Sequence, residues 1–148
     1  MKNLFLLLSL LLSFSLFAHE GGHGQIEEGG KFGGVMSPIL SKVQERMGDK
    51  ATVLYKAELV RSESGKLSFY IFDNSMNLVD LKEFSPEISA KLEVKKKGKF
   101  KYVGDFKLKK NGNHYTGQLP KIDYKPFNID FYFSIGKQEL FAGFSNLD

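Results

Sequence analysis

From Thr52 onward, apolar and polar residues alternate, and residues that turn the backbone interrupt the alternation at short intervals. Strand side chains point to opposite faces in turn, so a period of two marks a strand with one buried face. Val53, Tyr55, Ala57 and Leu59 lie on one face of a first strand, which ends at Ser62-Glu63-Ser64-Gly65. Leu67 to Phe72 returns, Asp73 to Asn77 turns again, and Leu78 to Leu81 follows as a further short strand. Ala90 to Lys96 is reversed at Lys97-Gly98, after which Phe100, Tyr102, Phe106 and Leu108 share one face. Asn111-Gly112 reads as a type I′ hairpin turn, whose two central residues both need positive φ. His114 to Leu119, the alternating run Phe127, Ile129, Phe131, Phe133 and Ile135, and Glu139 to Phe144 complete the pattern. About eight short strands with a turn every ~8–12 residues predict an all-β protein, an antiparallel β-sandwich of about 7–8 strands. A barrel is the competing architecture.

Ahead of that region, Ser37-Pro38 has the form of a helix start, with Ile39, Leu40, Val43 and Met47 at helical spacing and Gly48 as a stop. This predicts one short helix over 38–47; the alternative is a strand on the sheet edge begun by Gly33-Gly34-Val35-Met36. Earlier still, residues 19–34 hold seven glycines and almost no apolar side chains, the composition of a flexible arm. The first 18 residues pair a basic Lys2 with an unbroken run of Leu, Phe and Ser from Leu4 to Phe17, ending at the small residue Ala18. That run is shorter than the ~20 residues of a transmembrane helix and fits a signal peptide. The expected organisation is therefore a signal peptide at 1–18, a His/Gly-rich arm at 19–34 and a single domain at 35–148. Export to the periplasm is expected, or else secretion, with no membrane span in the mature form.

Composition narrows the function classes. The chain has no cysteine, so a disulfide framework, thiolate metal sites, a cysteine nucleophile and a lipid-anchored cysteine are all excluded. Without Lys2, 20 Lys and Arg face 17 Asp and Glu, a net charge of +3 that is too mild to argue for nucleic acid. No Gly-x-Ser-x-Gly elbow or phosphate-cradling glycine loop occurs, and the carboxylates are scattered, so an enzyme is not expected. The lysines of residues 91–110 alternate with apolar residues and read as an outer face that guards an exposed strand, with anion docking as the sharper alternative.

The histidines point to a metal. Cleavage after Ala18 would leave His19 with its α-amino group and imidazole Nδ1 in one residue, a pair that closes a chelate on a tetragonal ion such as Cu(II). His23 follows across two glycines that let the backbone curl, Glu20 adds an oxygen, and His114 is a further imidazole from the folded region. The candidate ligands are thus His19, His23, Glu20 and His114, for Cu(II) or another divalent transition metal. The rival reading is a non-catalytic envelope interaction module with a plain linker at its start.

The segments His19-Glu20-Gly21-Gly22-His23-Gly24, Gly33-Gly34-Val35, Tyr55 to Val60 and Gly65 to Asp73 resemble small periplasmic proteins with a His/Gly-rich start. Those proteins accompany heavy-metal handling systems, which implies partners in a metal efflux or envelope system. A mature N-terminal histidine on an exported β domain is also similar to periplasmic copper carriers of the Cop C type. There the terminal amine and two imidazoles clamp Cu(II), a role the resemblance gives to His19 directly.

Overall fold

A computed structural model describes residues 29–148. Eight antiparallel strands form one sheet: β1 (Val35–Ser41), β2 (Tyr55–Arg61), β3 (Lys66–Phe72), β4 (Glu87–Lys96), β5 (Lys99–Asn111), β6 (His114–Gln118), β7 (Phe127–Ile135) and β8 (Gln138–Leu147). The protein is all-β as expected, but the sheet closes on itself in the order β1-β2-β3-β6-β5-β4-β7-β8. It is a barrel and not a sandwich. A sandwich leaves four sheet edges, whereas closure pairs β8 with β1.

The strand that closes the ring is the one the sequence disguises. Residues 38–47 are not a helix: β1 occupies Val35–Ser41, and only single 3₁₀ turns follow at Lys42–Gln44 and Gly48–Lys50. Met36, Ile39 and Leu40 are all buried, so β1 has apolar side chains on both faces, and that mixture imitates helical spacing. Pro38 lacks an N–H and is unusual inside a sheet. It is tolerated because the β1–β8 register begins after it, at Leu40↔Phe141 and Ser41↔Leu140. Across the unpaired part, the Ser37 hydroxyl donates to the Gly143 carbonyl at 2.6 Å, doing the work of a ladder bond. Conversely, Leu78 to Leu81 is not a strand. It touches the sheet through one bridge, Phe72↔Leu78, and belongs to a loop over residues 73–86 that crosses one end of the barrel.

That loop seals its end. Leu81 and Phe84 turn inward, the Lys110 ammonium donates to the carbonyls of Leu81 and Phe84 at 2.6 and 2.8 Å, and Tyr115 donates to Ser85 at 2.7 Å. Burial raises the Tyr115 hydroxyl to about 12, so it stays a donor. The interior is filled with rings. Phe69 is fully buried, and its ring lies within 4.9–6.4 Å of the Phe131, Phe133, Phe144 and Tyr115 rings, tilted or edge-on to each as aromatic quadrupoles prefer.

Turn chemistry differs in one detail. In the β4–β5 hairpin both loop residues, Lys97 and Gly98, have positive φ, as in a type I′ turn. In the β5–β6 hairpin Asn111 pairs with His114, leaving Gly112 and Asn113 as the loop, with Gly112 alone at positive φ. Glycine first in the loop matches type II′ instead.

A bulge changes the faces of the long hairpin. Leu92 pairs with Gly104 but Glu93 pairs with Tyr102, so Val103 is an extra residue on β5. Phe106 and Leu108 point inward beside Ala90 and Ile88, whereas Phe100 and Tyr102 lie opposite Lys95 and Glu93 on the outer face. The common face expected for these four residues is therefore broken at Val103, between Tyr102 and Phe106. This assignment predicts two different outcomes. Phe131→Ala, at the ring cluster, should lower unfolding free energy by about 3–5 kcal/mol. Phe100→Ala, beyond the bulge, should cost less than about 1 kcal/mol in the same denaturant titration.

Candidate functional site

Residues 29–34 run along the outside of β2 and β3 before the chain enters β1, and a single side chain holds them there. Glu58 alternates with the inward residues Ala57 and Leu59, so it points outward, yet it is fully buried. Its Oε1 accepts the backbone N–H groups of Phe32 and Gly34, both at 2.8 Å. Its Oε2 is buried without a partner. The glycines make the approach possible: a Cβ on Gly30 would overlap the Glu58 carboxyl group, and one on Gly34 would overlap the Leu59 carbonyl.

Beside this latch lies a row of rings. Glu58 is opposite Tyr70 on β3, and the β3–β6 register, with Phe69 opposite Tyr115, continues to set Tyr70 against His114. Phe32 stacks on Tyr70 at 4.2 Å and Tyr70 stacks on His114 at 4.8 Å, with interplanar angles of 27° and 16°. Lys31 extends over Phe72, its ammonium 5.8 Å from the ring centre. Glu58, Phe32 and Tyr70 were not candidates from sequence. The available signal was the glycine pairs 29–30 and 33–34, which mark a close backbone approach but do not name what is approached.

His114 is half-buried at the start of β6, and its Nδ1 is 3.2 Å from the Asn113 Oδ1. An amide oxygen only accepts, so this contact favours the tautomer with the proton on Nδ1. Burial is the larger cause and the nearby Lys66 charge the smaller that together lower the imidazole pKa below its ordinary value of 6.5. At neutral pH the ring is an uncharged donor, the form a metal requires.

The other proposed ligands, His19, Glu20 and His23, lie outside the described residues. Among the described residues no group of three or more His, Asp or Glu side chains could hold a metal ion. A cavity of about 210 Å³ also opens at the barrel end opposite the 73–86 loop, lined by Gly34, Leu59, Leu67, Phe127 and Leu147 with Arg61 at its rim. It falls below the ~300–1,000 Å³ of ordinary small-molecule sites. Arg61 is itself engaged, lying over the Phe127 ring and donating to the Asp148 carbonyl.

Among the described residues no helix is long and apolar enough to cross a membrane. Comparison with protein-family models, with curated proteins and with solved structures finds no match to this chain.

Two measurements check this geometry. Glu58→Ala removes the acceptor from two backbone donors, a loss of about 1–3 kcal/mol, and should speed trypsin cleavage after Lys31 by about tenfold or more. Glu58→Gln keeps an acceptor oxygen and should speed it less. In a proton-NMR titration His114 should titrate below 6.5 and Lys66→Gln should raise that midpoint. The unfolded chain takes up this proton first, so the His114 contribution to stability is present above about 6.5 and declines as pH falls through the lowered midpoint.

Proposed function

We propose that the protein is an exported, periplasmic accessory protein that binds one divalent transition-metal ion, Cu(II) by its donor set, between its N-terminal arm and the barrel wall. His19 supplies its amine and imidazole, His23 and Glu20 lie close by in the arm, and His114 donates Nε2 from β6. The observation that carries this reading is the stack of Phe32 on Tyr70 and Tyr70 on His114. Spacings of 4.2 and 4.8 Å put the end of the arm within about 9 Å of the His114 ring.

Chain length allows the rest. His23 precedes Gly29 by six residues, a reach of up to about 20 Å when extended, and glycine-rich backbone folds back readily. The Asn113 contact adds support, because an imidazole whose second nitrogen is hydrogen-bonded is oriented and tautomerically fixed for a metal. Components of a metal efflux or envelope system are the partners such a carrier would serve, and no catalytic step is assigned to it.

The test uses untagged protein whose N-terminus is confirmed by mass, titrated with Cu(II) and followed by electron paramagnetic resonance. One ion per chain is expected, with nitrogen hyperfine structure. An extra residue before His19 separates the amine from its imidazole and should weaken binding by about two orders of magnitude or more. His114→Ala should weaken it by about tenfold and remove one nitrogen from the spectrum. Equal binding by the extended and native proteins would overturn the reading. An unchanged spectrum in His114→Ala would remove the barrel from the site.

A further inference from the structure

The β4–β5 hairpin projects a different chemistry from another part of the barrel. β6 pairs with β5 only from Lys109 to Asn111, so residues 99–106 have β4 as their one paired neighbour. At the tip, residues 95–101 read Lys-Lys-Lys-Gly-Lys-Phe-Lys, with no acidic residue among them. The ion pairs of this hairpin, Lys91–Glu93 and Lys107–Glu87, lie nearer its base. No ion pair reaches the five tip lysines among the described residues.

Rings flank the tip on both faces. The bulge at Val103 turns Phe100 and Tyr102 outward, under the ammonium groups of Lys95 and Lys91 at 5.8 and 5.7 Å. On the inner face Lys96 sits 4.4 Å from the ring of Tyr124, in the 119–126 segment that the Lys95 N–H ties down through the Pro126 carbonyl at 3.0 Å. Tyr102, Val103 and Tyr124 remain exposed at 54%, 44% and 49%. Lysines alone would protect a free strand edge, and they do not account for apolar groups turned to water at the same place.

We propose that this hairpin tip is a docking surface for an anionic phospholipid bilayer. The lysines take the lipid phosphates, and Tyr102, Val103 and Tyr124 enter the headgroup layer, where amphipathic rings and a branched aliphatic side chain gain from leaving water. Three features favour lipid over other polyanions. The window carries Lys and no Arg, and Lys acts as a point charge without the planar fork that reads individual phosphates in nucleic acid. Exposed Val103 gains more from the apolar boundary of a bilayer than from a strongly hydrated polymer. A projecting tip with rings on both faces also suits shallow insertion better than contact along a rigid polymer.

Vesicle co-sedimentation with the processed protein, or with the full chain if no cleavage occurs, tests the proposal. Vesicles of about one-third phosphatidylglycerol in phosphatidylcholine should bind it at ~0.1 M salt, and pure phosphatidylcholine should not. The variant Lys96→Glu/Lys97→Glu/Lys99→Glu should bind at least about tenfold more weakly, since each lysine near such a surface contributes about fivefold. The chain has no tryptophan, so Tyr102→Trp in the otherwise unchanged protein is a clean reporter whose emission should shift to the blue on the anionic vesicles. That measurement stands even if charge reversal disturbs folding. Unshifted emission, or equal binding by the charge-reversed variant shown to be folded, overturns the proposal. Retention on dextran sulfate with no vesicle binding also overturns it, in favour of a soluble polyanion.

Discussion

Closure of the ring between β1 and β8 is the contact on which the rest of the architecture depends. Seven strands joined by hairpins and two crossings would leave β2 and β8 as open edges, each with a row of unpaired peptide groups. β1 covers both edges. It pairs with β2 over five positions, from Val35↔Leu59 to Ile39↔Tyr55, and with β8 over only two. The weaker seam is where Pro38 withholds a donor and the Ser37 hydroxyl provides one to Gly143. A strand that needs a side chain to complete its ladder has few alternative registers, because the hydroxyl meets that carbonyl in one alignment. The position of β1 then sets where the preceding residues go, and they are delivered to the outer face of β2 beside Glu58.

The inside of the barrel explains why function is sought on its surface. Eight strands enclose a space just wide enough for side chains, and here Phe69 and the rings around it occupy the middle. One end is shut by the 73–86 loop through Lys110 and Tyr115, groups that satisfy carbonyls which would otherwise be buried unpaired. The cavity described at the other end is smaller than an ordinary ligand site. The polar chemistry left over is outside: a half-buried histidine in a stacked row, a buried carboxyl group holding the chain, and a lysine-rich hairpin.

Where one face of a strand was apolar and the other polar, the sequence made the strand visible. β2 and β7 show this alternation, β3 was visible as a continuous apolar run between two turns, and each lies within two residues of the expected bounds. Strand β1 was hidden because it is buried on both faces, and the loop segment Leu78 to Leu81 imitated a strand because Leu81 packs inward. The two errors offset in the strand count, so an expectation of about eight strands matched for a partly mistaken reason. Closure itself left no local mark, since each strand looks the same in an open or a closed sheet. The bulge at Val103 was equally silent, because one extra residue changes faces without changing composition. The candidate site was legible only as far as His114, whose turn and strand start were readable. Its surroundings come from Tyr70, 44 residues earlier, through a β3–β6 pairing that only the three-dimensional topology supplies.

The latch and the row of rings also separate two demands placed on the same segment. An arm that contributes ligands must be free to fold over its ion, yet an arm that is free throughout places its histidines nowhere in particular. Glu58 divides the segment at Phe32 and Gly34. From there onward the backbone is tied to the barrel by two hydrogen bonds and a stacked ring, while the glycine-rich residues before it carry the histidines. In the proposed metal-binding reading, tethering at that point would raise the effective concentration of the arm's donors around His114, because a short linker confines them to a small volume. The buried carboxyl group therefore serves a metal-binding reading without touching the ion. Its two backbone donors fix the chain beside the barrel at Phe32 and Gly34, and in the proposed reading that anchor is what would let the arm's ligands join a single barrel histidine.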